Sequence, residues 1–226
     1  MIIAADNIYQ NDIMMSSCHH EEALTDLVWE RRKMMDDLYI RELWEKLEHT
    51  EIWDNTGRKC ADYTEGIQLL LNVFTKHKER HAQLFFIGNG GSSAIASHMT
   101  ADFMKNGGMN TYSLYDNAVT TCMGNDYGYE SIFARPMEFL ARQGDLIVAI
   151  SSSGNSPSIV NAIYVARKKK AAVITFTGFQ EDNRVKQMGD INVYVPSGKY
   201  GIVESIHNLM LQQIVDSIME RDGAVI

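Results

Sequence analysis

Two short stretches carry the residue types that bind an anion without a lysine: GlyAsnGlyGlySerSer at 88–93 and SerSerSerGlyAsnSerPro at 151–157. Glycine lets backbone approach closely, serine hydroxyls donate, and a helix beginning directly afterwards offers unpaired amides at its positive end. If the two loops meet, Ser92, Ser93, Ser151, Ser153 and Ser156 can converge on one oxyanion. Either loop taken alone reads equally well as a helix cap and a tight turn. A dinucleotide fingerprint competes for the first loop, since Gly88 and Gly90 follow a strand pattern and Asp116 ends the next. It lacks the third glycine, where Ser93 stands, and leaves the second loop without a role. There is no GlyLysSer or GlyLysThr, and SerSerSerGlyAsn does not supply a nucleophile elbow, so no nucleotide cofactor is expected.

The elements around these loops set where they can point. Short apolar runs at 84–87, 111–115, 146–150, 172–177 and 191–195 alternate with helical patterns near 92–106, 130–142, 157–170 and 202–221. Such alternation predicts βαβ units and a parallel sheet covered on both faces, with ligands outside the carboxyl ends of its strands. Both serine loops follow strands. Upstream, apolar residues near the 3.6 period predict a long amphipathic helix over 21–53, a turn at AspAsnThrGly 54–57, and a second helix over 61–78. The division expected is an N-terminal helical extension over 1–60 and an α/β domain over 61–226. The apolar stripes of the leading helices need a cover, either the domain or another subunit.

The 226 residues are 45% apolar and 22% charged, enough for one sizeable core, and the net charge is −8. With no basic block longer than Arg167–Lys170, neither nucleic acid nor an anionic membrane surface is an expected partner. The start has no basic, apolar leader pattern, and no apolar run approaches the length of a membrane span. Cys18, Cys60 and Cys122 are odd in number and far apart, which fits a reducing compartment, and a cytoplasmic location is expected.

Four segments in order resemble a known family: GlyAsnGlyGlySerSer at 88–93, MetGlyAsnAsp at 123–126, GlyAspLeuIleValAlaIleSerSerSerGlyAsnSerPro at 144–157, and PheThrGly at 176–178. Over roughly residues 60–221 the chain resembles the sugar isomerase (SIS) domains, and among them the phosphoheptose isomerases. The resemblance implies a three-layer αβα sandwich with a five-stranded parallel sheet, and a homotetramer with active sites between subunits. The activity it implies is aldose-ketose isomerisation of a sugar phosphate, sedoheptulose 7-phosphate to glycero-manno-heptose 7-phosphate, through an enediol. A SIS protein that binds a protein partner or senses a phosphosugar without catalysis is the alternative.

Carried over residue by residue, the resemblance assigns substrate binding to Asn89, Gly90, Gly91, Ser92, Asn125, Asp126, Ser151, Ser153, Ser156 and Gln212. It assigns catalysis to Asp102 and Glu204, to which the spacing on the last helix adds His207, and a zinc ion to His98, Asp102, Glu204 and Gln212. This chain departs from the family at the last set, where Asp102 replaces a glutamate, Glu204 a glutamine and Gln212 a histidine. His98 and Asp102 are four apart on one helix, and Glu204 and His207 three apart on another, so two carboxylates and two imidazoles are expected over one sugar. They can act as base and acid directly, or hold a metal that polarises the carbonyl.

Overall fold

The computed structural model describes residues 38–223. The chain divides into two compact units, Met1–Trp44 and Glu45–Ile226. Of the first, only 38–44 are described, and they are helical. The helix expected over 21–53 therefore lies largely outside the described residues, which show it as α1 over 38–48.

Its predicted end is overturned. Glu51–Trp53 is a strand, β1, which pairs antiparallel with Ile191–Tyr194 (β6), Ile52 opposite Val193. Ile52 is buried and packs so closely on Gly66 that no Cβ would fit there. Burying one isoleucine between the sheet edge and a helix stabilises the extended form more than another helical turn would. The segment before residue 60 thus contributes a strand to the sheet.

Within the second unit the sheet has the order β1-β6-β5-β4-β2-β3, with β2 Gln83–Gly88, β3 Asn110–Tyr112, β4 Leu146–Ser151 and β5 Ala172–Thr177. Five strands, β2 to β6, run parallel as expected, and β1 adds a sixth at the edge. Central strands β4 and β5 are buried almost throughout, as a sheet with helices on both faces requires. Alternation sends neighbouring aromatics to opposite layers. Phe85 joins a core with Ile147, Ile159 and Ile163, on the side of α6 (Pro157–Lys168). Phe86 faces the other way, 5.1 Å from Phe103 of α3 (Gly91–Lys105), which lies 4.9 Å from Phe74 of α2 (Tyr63–Glu79). The last long helix, α7 (Tyr200–Arg221), packs on α2 and α3 in that layer.

Two more helices, α4 (Asn117–Tyr127) and α5 (Ala134–Leu140), lie between β3 and β4. The first was not expected from the sequence; Asp116 caps it by accepting from the Val119 amide at 2.9 Å. Strand order reverses between β2, whose chain continues to β3, and β4 on its other side. The crevice at the carboxyl ends of β2 and β4 is therefore the topological switch point, and both serine loops leave the sheet there.

Candidate active site

The first loop leaves β2 through Gly88, where a Cβ would collide with the Ser92 backbone, and turns at Gly90 with φ 56°. That left-handed turn starts α3 with no side-chain cap, so its first amides face outward. The second loop turns at Gly154, φ 64°, whose amide donates to the Ser151 carbonyl at 2.9 Å. Ser156 stands at the N-cap of α6, followed by Pro157, yet its hydroxyl makes no capping bond. Capping does not account for this serine.

The loops are tied to each other. Asn89 donates from Nδ2 to the Ser158 hydroxyl at 2.9 Å and accepts at Oδ1 from the Tyr129 hydroxyl at 2.9 Å. Its amide thus spans the first loop, α6 and the segment before α5, so both ends of this predicted substrate contact already serve protein partners.

Between the loops lies a cavity of about 400 Å³, into which Ser92, Ser151, Ser152, Ser153 and Ser156 converge with Gly90 and Gly91. The hydroxyls of Ser151 and Ser152 are buried and have no hydrogen-bond partner in the protein. A buried hydroxyl left unpaired costs free energy, and one aimed into a polar cavity is a donor waiting for an acceptor. Glu204, half-buried on α7, closes the same cavity. Its carboxylate lies so near the first residue of α3 that a Cβ on Gly91 would collide with it. Tyr200, one turn before Glu204, also borders the cavity. Neither Ser152 nor Tyr200 was picked out from the sequence, although Ser152 sits inside the serine loop and Tyr200 shares a helix face with Glu204.

A larger cavity, about 600 Å³, lies at the sheet edge beside Trp53 and Lys186. Several of its polar groups are engaged within the protein. Lys186 reaches Glu51 at 3.3 Å and sits 4.0 Å from the Tyr194 ring centre, while Asp54 accepts from Thr56 and Arg58. Of these two cavities, the serine cavity is the one lined by buried hydroxyls without a partner.

A model of the family described as SIS domain matches residues 55–178. The chain belongs to the SIS domain family. The phosphoheptose isomerase of Akkermansia muciniphila is 32% identical over 171 residues, 73% of this chain and 89% of that protein. That of Aliarcobacter butzleri is 36% identical over 144 residues, 60% of this chain and 76% of that one. A solved phosphoheptose isomerase structure from Neisseria gonorrhoeae superposes with a TM-score of 0.63 at 28% identity, covering 67% of this chain and 84% of that one. One from Francisella tularensis gives 0.63 at 27% identity, covering 69% and 84%.

The remaining assigned positions of this SIS domain lie elsewhere. His98 and Asp102 form a pair on α3, 3.0 Å between Nε2 and Oδ2, and Gln212 of α7 donates to the same Asp102 oxygen at 2.8 Å. None of the three borders the serine cavity. Asn125 and Asp126 are exposed on α4 and bonded to each other at 2.8 Å. His207 is fully buried, its Nε2 donating to the Thr177 carbonyl at 3.1 Å and its ring edge-on to Phe176. Burial lowers its pKa to about 4, so it is neutral, and with Nε2 carrying the proton its Nδ1 is an acceptor without a partner.

As a zinc set, His98, Asp102, Glu204 and Gln212 do not fit. Among the described residues no three His, Cys, Asp or Glu side chains group as metal ligands. Asp102 already accepts from His98 and Gln212, with Gln212 turning its amide nitrogen, not its oxygen, to the centre. Glu204 lines the serine cavity, which the other three do not. Also among the described residues, no helix is long and apolar enough to cross a membrane.

Proposed function

We propose that the serine cavity isomerises a sugar phosphate, with sedoheptulose 7-phosphate as substrate and glycero-manno-heptose 7-phosphate as product. The observation that carries this reading is the placement of unpaired buried hydroxyls and one carboxylate around a single cavity at the switch point. The phosphoheptose isomerase relatives supply the sugar.

The phosphate takes the hydroxyls of Ser151, Ser152, Ser153 and Ser156 and the positive end of α6. Charge-assisted bonds of this kind stabilise by about 1.5–3 kcal/mol each. Anchored there, the sugar chain extends toward α3 and α7. The Glu204 carboxylate, beside the first residue of α3, removes a proton from C1 of the ketose as the C1–C2 bond becomes an enediol. It returns the proton to C2, while the hydroxyl proton on O1 passes to O2, which leaves the aldose. No step is routed through a metal. A carboxylate in the phosphate cavity favours turnover over the binding-only alternative, which needs no base.

A homotetramer is the proposed assembly, supported by apolar side chains such as Phe139, Met104 and Leu209 that stand exposed in the single chain. The unpaired thiols of Cys60 and Cys122 support a reducing, cytoplasmic setting; Cys18 lies outside the described residues. The test is incubation with sedoheptulose 7-phosphate, with and without chelator, read by NMR for an aldoheptose phosphate. Product in both arms, abolished by Glu204→Gln with phosphate binding kept, is the expected result. Loss of turnover with chelator would move the chemistry onto a metal, and full activity in the variant would remove Glu204 from it.

A further inference from the structure

Phe179 holds φ at 60°, a left-handed backbone that a bulky side chain adopts only when its surroundings force it. Three bonds do so. The Phe179 amide donates to the Ser197 carbonyl at 2.9 Å, the Tyr194 hydroxyl donates to the Phe179 carbonyl at 3.0 Å, and the preceding Gly178 amide donates to the Ser152 carbonyl at 3.0 Å. Gly178 also lies against Val203 with no room for a Cβ. The strained pair therefore fastens the serine loop to the start of α7. It also aims the Phe179 ring edge-on at Tyr200, 4.6 Å between centres and 68° between planes.

Tyr200 is 60% exposed and borders the cavity one turn before Glu204. Core packing does not need a ring there. We propose that Tyr200 is a substrate-contacting wall that selects the sugar, its ring against C–H groups of the chain and its hydroxyl on a sugar hydroxyl, and that Phe179 is the positioning residue that holds it. This deepens the isomerase reading and rests on it. Tyr200 touches the part of the sugar beyond the phosphate, so it discriminates chain length and hydroxyl configuration, while the serines read only the anion.

Kd by calorimetric titration with sedoheptulose 7-phosphate and with a six-carbon ketose phosphate, together with kcat and KM, tests this on the full chain. Tyr200→Ala should raise Kd and KM for the seven-carbon sugar about tenfold with kcat within about threefold, and narrow its preference over the shorter one. Phe179→Gly relieves the backbone strain, so the melting temperature should hold or rise while KM climbs as in Tyr200→Ala; Phe179→Tyr should restore it. The Phe179→Gly/Tyr200→Ala double variant should be no worse than Tyr200→Ala, because both changes remove one contact. Unchanged Kd and KM in Tyr200→Ala, or effects that multiply in the double variant, would overturn the proposal. If the wild type binds the sugar phosphate without turning it over, the isomerase reading fails and Kd alone still decides for or against Tyr200. A wild type that binds no sugar phosphate overturns both.

Discussion

Replacing Ser151 or Ser152 by alanine should move stability and affinity in opposite directions. In the ligand-free protein both hydroxyls are buried without a partner. Removing such a group recovers part of a burial cost of about 1–3 kcal/mol, so each substitution should stabilise the free chain by about 1 kcal/mol. For a chain of this size that raises the melting temperature by about 2–4 °C. With sugar phosphate bound, the same hydroxyl donates to a charged oxygen, and its loss costs about 1.5–3 kcal/mol, a rise in Kd of about 12- to 160-fold. Thermal unfolding with and without sugar phosphate reads both effects, since ligand raises the wild-type midpoint more than the variant's. Ser153→Ala is the control, because that hydroxyl is only half-buried and its removal should not stabilise. If the Ser151 and Ser152 variants melt lower than wild type and bind sugar phosphate equally well, those hydroxyls have other partners and the anion site is misassigned.

Gly91→Ala should spare the fold, since alanine suits the first turn of α3, but its Cβ displaces the Glu204 carboxylate. A shift of about 1 Å can cost on the order of a hundredfold, so kcat should fall steeply with KM and melting temperature little changed; an unaltered kcat would separate Glu204 from the chemistry. His207 gives a pH signature. Its folded pKa lies near 4, below the ordinary 6.5, so as pH falls the unfolded chain takes the proton first. Its stabilisation is complete above about pH 6.5 and drains toward pH 4, about 2 kcal/mol by pH 4.5. Urea denaturation at pH 7 and 4.5 should show that loss in wild type and a smaller one in His207→Gln or His207→Phe; equal losses would place the sensitivity in other groups.

The serine-loop half of the candidate site could be read from the chain because its parts are contiguous. A strand, a glycine turn, serines and a helix start fix one another within ten residues, and the parallel sheet then brings the loops after β2 and β4 side by side. Where sequence reading failed, tertiary contact decided. Ile52 draws its neighbours out of a helical pattern and into an edge strand because β6 offers unpaired backbone and Gly66 leaves room. Asn89 borders the serine cavity, and what the sequence did not show is that its amide is also engaged by Ser158 and Tyr129, 69 and 40 residues further along the chain.

The catalytic half depends on the rotation of α7, which periodicity leaves open. Residues three apart are turned about 60° from each other on a helix and residues four apart about 40°, so either pair can share a face. On α7 the cavity takes Tyr200 and Glu204, four apart, while His207, three beyond Glu204, turns into the core against Phe176. What selects this rotation is the apolar set Ile202, Val203, Ile206, Met210 and Leu211, all buried, which must face the sheet and α3. Once that face is fixed, Glu204 is the carboxylate of α7 that meets the serine loops. On α3 the matching four-residue pair, His98 and Asp102, closes on itself and on Gln212 instead. Similar spacing therefore gave two helices the same apparent chemistry, and packing brings the carboxylate of only one to the serine cavity.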